Sequence, residues 1–204
     1  MEGRGRVVLG FGVVLSSMVL LFTVPPQYFV AATFVSTSCM LLVSYSLGLR
    51  LTRRPSAKAI AVGIGAAVAL YLVFFAGNAG IKEMHPLGIG TSSARSIYSL
   101  IASPANPLYL QVLVLLFDAA GFESFFRGIL QASLRPRLGA GSAPVVAAAD
   151  AAIHVITLNP LWVATTFIVD LGWGLTYHFT KDLAANFTSH FIWDVLVFIV
   201  FPLS

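Results

Sequence analysis

Apolar residues run in long blocks along this chain, and most polar residues fall at the ends of the blocks. Blocks of about eighteen residues or more match the thickness of a bilayer crossed as helix. Seven blocks span or nearly span it, at roughly 7–24, 28–49, 59–77, 108–133, 143–158, 160–178 and 183–202. Pro25 and Pro26 close the first, Arg50, Arg53 and Arg54 the second, and Gly77 and Asn78 the third. A polar stretch of about thirty residues follows, and SSARSIYSLI (92–101) within it reads as a short interfacial helix. The fifth block is short and carries Asp150 and His154, so it needs other helices to shield it from lipid. The first block, Val7 to Val24, is long for the apolar region of a cleavable signal and reads as a span. The pattern predicts an all-α, polytopic transmembrane bundle of about seven spans in one membrane domain, residues 1–204. Residues 1–107 supply the N-terminal spans and an external loop, and residues 108–204 the core.

Composition makes the bilayer assignment firm. Of the 204 residues 58% are hydrophobic and 10% charged, with a mean hydropathy of +0.89, whereas soluble domains carry about 25% charged residues. The single cysteine, Cys39, excludes an internal disulfide and a cysteine metal cluster. The net charge of +4 does not indicate nucleic-acid binding, because the basic residues sit at the ends of apolar blocks. Arg4, Arg6, Arg50, Arg53, Arg54, Lys58, Arg135, Arg137 and Lys181 fall on one side of the predicted topology, and only Lys82 and Arg95 on the other. The positive-inside rule then places the N-terminus in the cytoplasm and the C-terminus outside. The expected location is a bacterial or archaeal cell membrane, spanned several times.

Three pairs of ionisable residues lie inside separate apolar blocks, each pair four apart and so on one helical face. They are Glu123 and Arg127, Asp150 and His154, and His190 and Asp194. Ionisable groups at membrane depth are costly and usually face the bundle interior. Glu123 with Arg127 alone reads equally well as a structural ion pair. Two histidines on two other spans point further, because a carboxylate and two imidazoles in a dry cavity can activate water and stabilise an oxyanion.

The segment GFESFFRGIL resembles the E-E-x-x-x-R-G motif of the CPBP family, the CAAX-protease and bacteriocin-processing (Abi) family that includes the Ras-converting CAAX endopeptidase. His154 falls where that family's F-x-x-x-H motif is expected, and HFIWD (190–194) is similar to its H-x-x-x-N/D motif. The resemblance covers roughly 108–200, and the first hundred residues match only as generic spans. It implies glutamate-dependent intramembrane proteolysis. The first glutamate and the second-motif histidine would activate water, the third-motif histidine and its partner would bind the oxyanion, and the arginine would brace the second glutamate. On this chain those roles fall to His154, to His190 with Asp194, and to Arg127 holding Glu123. Two positions depart from the pattern. Phe122 stands where the first glutamate belongs, and Asp150 where the second motif has phenylalanine. Either the base has moved, to Asp150 or Glu123, or the chain keeps the bundle without the hydrolysis.

The expected partners are a membrane-anchored peptide or protein substrate and the lipid bilayer, with no nucleic acid. Glu123, His154, His190 and Asp194 are acceptable zinc ligands by type, but no H-E-x-x-H helix is present and the resemblance implies a metal-independent family, so no cofactor is expected. The rivals are an inactive scaffold or immunity protein and a proton- or ion-coupled transporter, the latter without an internal inverted repeat. Asp118, one turn before Phe122 on the face a first-motif glutamate would use, is a distant candidate for the lost carboxylate and reads more readily as a packing residue or a cavity acid. Asp170 sits beside Gly172 and Gly174, where helices approach closely.

Overall fold

The computed structural model describes residues 2–50, 54–83, 91–101 and 106–203, and among these it is helical throughout, with no strand. Helices α1 (Glu2–Thr23) and α2 (Phe29–Ser46) are separated by Pro25 and by a short 3-10 turn, Pro26–Tyr28, because proline cannot continue the hydrogen-bond ladder. Helix α2 ends before Gly48, whose φ of +98° needs a residue without Cβ. Helix α3 (Ala57–Glu83) does not stop at Gly77 and Asn78 as the sequence pattern suggests. Isolated glycines cost a helix only about 1 kcal/mol each, and α3 runs through Gly77 and Gly80 to Glu83. The interfacial helix is present as α4 (Thr91–Ile101).

The second half of the chain begins with α5 (Leu108–Phe122), which continues into a π-helical turn, Glu123–Gln131, and then α6 (Ala132–Leu138). A fold-back at Gly139–Gly141 leads into α7 (Ser142–His154). Leu158 takes a left-handed φ of 53°, and Asn159 caps α8 (Pro160–Thr180) by accepting from the Trp162 amide. Lys181 is likewise left-handed. Asp182 then caps α9 (Leu183–Val195), which ends in a second π-helical turn, Leu196–Val200.

Five helical runs are long and apolar enough to cross a membrane: 5–23, 26–46, 57–80, 108–157 and 183–200. The fourth turns back at the glycines, so α5 and α7 enter it as two legs. Helix α8 is continuous, but its apolar run is interrupted by Asp170; it falls outside these five and packs against α7, α9, α3 and α4. The chain is therefore an all-α membrane bundle. Helix α7 lies along α8, α3 along α9, and α2 against both α1 and α5. Small residues set these distances. A Cβ on Gly174 would sit 2.9 Å from the Ala143 Cβ, so α7 and α8 approach as closely as the missing side chain allows.

The two ends of the bundle differ. At one end Arg6 of α1 reaches the Ser46 carbonyl closing α2, and Gly128 meets Leu49 and Leu183. Arg50, Arg54, Lys58, Arg135, Arg137 and Lys181 belong to the helix ends and turns there. At the other end α4 is tied down by the Asn159 amide, which donates to the Ser93 carbonyl, and by Tyr98, which donates to the Val197 carbonyl and accepts from the Leu203 amide. Partial burial lifts the Tyr98 phenol above its ordinary pKa, so it stays neutral and keeps both bonds.

Candidate functional site

Helices α5, α7, α8 and α9 bring the three sequence pairs together. At the deepest level Arg127 is fully buried. Its Nη2 donates to Asp170 Oδ1, and its Nε lies 3.5 Å from Glu123 Oε2. Glu123 Oε1 accepts from His190 Nδ1 at 2.8 Å. The carboxylate can only accept, so it fixes the proton on Nδ1 and turns Nε2 the other way. Nε2 lies 3.5 Å from Asp194 Oδ2. The Trp173 ring stacks on His190, with centroids 3.7 Å apart and planes 18° apart, which leaves the imidazole little rotational freedom.

His154 is held by the same logic. Its Nδ1 donates to the Asp150 carbonyl at 3.0 Å, because a carbonyl oxygen cannot donate, and this leaves Nε2 as the free nitrogen. The Asp150 carboxylate stands 3.7 Å from Nδ1, on the edge away from Nε2. The Asp170 carboxylate lies close to it. Phe22 and Trp162 pack against the ring.

Both histidines line one cavity of about 130 Å³, with Asp118, Asp150, Asp170 and Asp194. That is room for several waters or a substrate carbonyl. Glu123 is not among its walls. It lies behind His190, whereas Phe122 faces the space. Sequence spacing puts Glu123, His154 and His190 in one site. The structure brings the two histidines into one cavity and joins Glu123 to it through His190. The π-helical turn starting at Glu123 widens the helix at this point, and such turns often mark functional sites.

Two residues carry more than their sequence context indicates. Asp170 is the closest partner of Arg127, and Asp118 enters the cavity. One ligating atom each from Asp118, His190 and Asp194 lie within 4.8 Å of one another. The sequence signal for Asp118 was its place one turn before Phe122. Nothing in the spacing paired Asp170 with Arg127, 43 residues away. A second cavity of about 250 Å³ adjoins the first, mostly apolar and sharing Ile97, Thr165, Trp193 and Phe198 with it.

A helical membrane bundle with paired acids and histidines around a buried cavity defines a class of intramembrane protein with a polar centre. The family model described as type II CAAX prenyl endopeptidase Rce1-like matches residues 104–196. Those residues hold all three pairs, so the part of the chain that carries the polar centre is similar to a protease family. No curated protein and no solved structure matches the chain.

Proposed function

We propose that the protein is an intramembrane endopeptidase that hydrolyses a peptide bond in a membrane-associated substrate by general-base activation of water. The observation that supports this most is the cavity where His154 and His190 meet Asp118 and Asp194 within the segment matched by the protease family.

In this reading a water in the cavity is held between His154 Nε2 and the Asp118 carboxylate. One of these takes a proton as the water oxygen attacks the scissile carbonyl carbon. The oxyanion that forms accepts from Nε2–H of His190, which in this step is an imidazolium with Glu123 on its Nδ1 and Asp194 beside its Nε2. Collapse of the tetrahedral species breaks the C–N bond, and the proton held by the base passes to the leaving amine. Glu123 and Arg127 act behind His190, and Asp150 behind His154, so all three position rather than react. Asp118 is favoured over Asp150 and Glu123 as the carboxylate on the water, because Asp150 lies on the Nδ1 edge of His154 and Glu123 is outside the cavity. From one turn away, Asp118 fills the role that Phe122 vacates.

The test is cleavage of a library of membrane-tethered peptides by the purified protein in liposomes. Cleavage lost in His154→Ala and in Asp118→Asn is the expected result. No cleavage by the wild type, together with cleavage by Phe122→Glu, would make the natural protein a non-catalytic scaffold.

A further inference from the structure

The cavity occupies only one half of the bundle. It is walled by Phe22 at the end of α1, Phe29 at the start of α2, Ile97 of α4, His154 at the end of α7, Trp162 near the start of α8 and Phe198 beyond α9. Each of these lies at the end of the bundle opposite the arginines and lysines. Between the cavity and the basic end the packing is closed. Phe125, Phe126, Arg127, Gln131 and Asn186 are each 0% exposed. Gln131 and Asn186 spend their amides on the Gly174 and Trp173 carbonyls, which seals α8 to its neighbours at that depth. Asp118, above this layer, is only half-buried. Among the described residues the packing is therefore closed between the cavity and the basic end, and the cavity lies toward the far end.

Among the described residues Arg6, Arg50, Arg54, Lys58, Arg135, Arg137 and Lys181 mark the basic end, against Arg95 and the α3 residue Lys82 at the other. Short basic helix ends stay on the cytoplasmic side of a membrane. We infer that the N-terminus is cytoplasmic, that the cavity opens to the extracytoplasmic face, and that the substrate is an exported chain still tethered to that leaflet. The substrate part of this inference rests on the peptidase reading, whereas the direction of opening does not.

Thiol labelling tests the direction without any cleavage. In a Cys39→Ser background, single cysteines are placed at Leu158, which is 88% exposed beside the α7–α8 turn, at Ser99 on α4, and at Ser56 and Arg137 on the basic end. A membrane-impermeant maleimide added to intact cells should label Leu158→Cys and Ser99→Cys. Ser56→Cys and Arg137→Cys should react only after lysis. A cysteine replacing Thr165, in the cavity wall, should react with a small charged methanethiosulfonate from outside. The reversed pattern overturns the inference, as does a Thr165→Cys that stays silent from outside. The substrate side is then read with one reporter peptide tethered at either face of the membrane. Cleavage at the outer face alone supports the inference and cleavage at the inner face alone overturns it. Outward labelling with neither reporter cut overturns the substrate assignment and the peptidase reading, and leaves the opening standing.

Discussion

Replacing Arg127 with methionine keeps most of the side-chain volume and removes only the charge and its donors. The structure sets the cost. Arg127 is fully buried, and its two acidic neighbours, Glu123 and Asp170, are 2% and 1% exposed, so neither carboxylate can turn to water when the guanidinium goes. Breaking a buried ion pair by removing one partner costs about 3–5 kcal/mol, because the remaining charge is left uncompensated. A chain of this size loses about 2–4 °C of Tm per kcal/mol, which gives a fall of about 6–20 °C. Thermal unfolding in detergent, followed by tryptophan fluorescence, would read it, since Trp173 and Trp193 sit beside the site. The triple change Arg127→Met, Glu123→Gln, Asp170→Asn leaves no buried charge in this layer and should regain most of the loss. An Arg127→Met protein within about 1 kcal/mol of wild type would behave like an exposed pair, and would refute the sealed layer beneath the cavity.

If Asp118 holds the water, Asp118→Asn should lower turnover by about 10²–10⁴-fold with the melting temperature preserved, and Phe122→Glu combined with Asp118→Ala should recover cleavage. Asp150→Asn should cost less than Asp118→Asn, since Asp150 stands on the Nδ1 edge of His154; equal losses would return the base to Asp150. Gly174→Leu should destabilise by about 1–3 kcal/mol, as overpacking does, because even its Cβ would crowd Ala143; a variant as stable as wild type would show that α7 and α8 separate freely.

The bundle was legible because bilayer thickness imposes a simple length rule on apolar blocks. The α4 helix and both legs of the 108–157 run fell where the pattern put them. The end of α3 lies beyond the point the pattern suggests, because glycine in this helix lowers propensity without stopping it. The intrahelical pairs were legible from spacing, which fixes what shares a face. Spacing says nothing of what lies across from that face. Glu123 therefore reads as a cavity residue from its helix alone, and only the packing of α9 places His190 in front of it. Asp170 was visible as an acid in an apolar helix, but its bond to Arg127 joins elements that no local pattern connects. The π-helical turn was also hidden, since no residue in ESFFRGILQ requires it.

Arg127 links both histidines through separate chains of contact. One runs from Arg127 to Glu123 to His190 Nδ1, the other from Arg127 to Asp170 to Asp150 and so to the backbone and Nδ1 of His154. Residues joined in one hydrogen-bond network couple by about 0.5–3 kcal/mol, and residues with no shared partner add independently. Double-mutant cycles on stability can separate the two chains before any substrate is known. Glu123→Gln should couple to His190→Ala and add simply to His154→Ala. Asp170→Asn should do the reverse. If Glu123→Gln couples equally to both histidines, the layer is one undivided network, and Arg127 does not divide its hold between a water side and an oxyanion side. If the cycles separate as expected, each histidine can be disturbed while the other keeps its place, and the contribution of each to hydrolysis becomes measurable on its own.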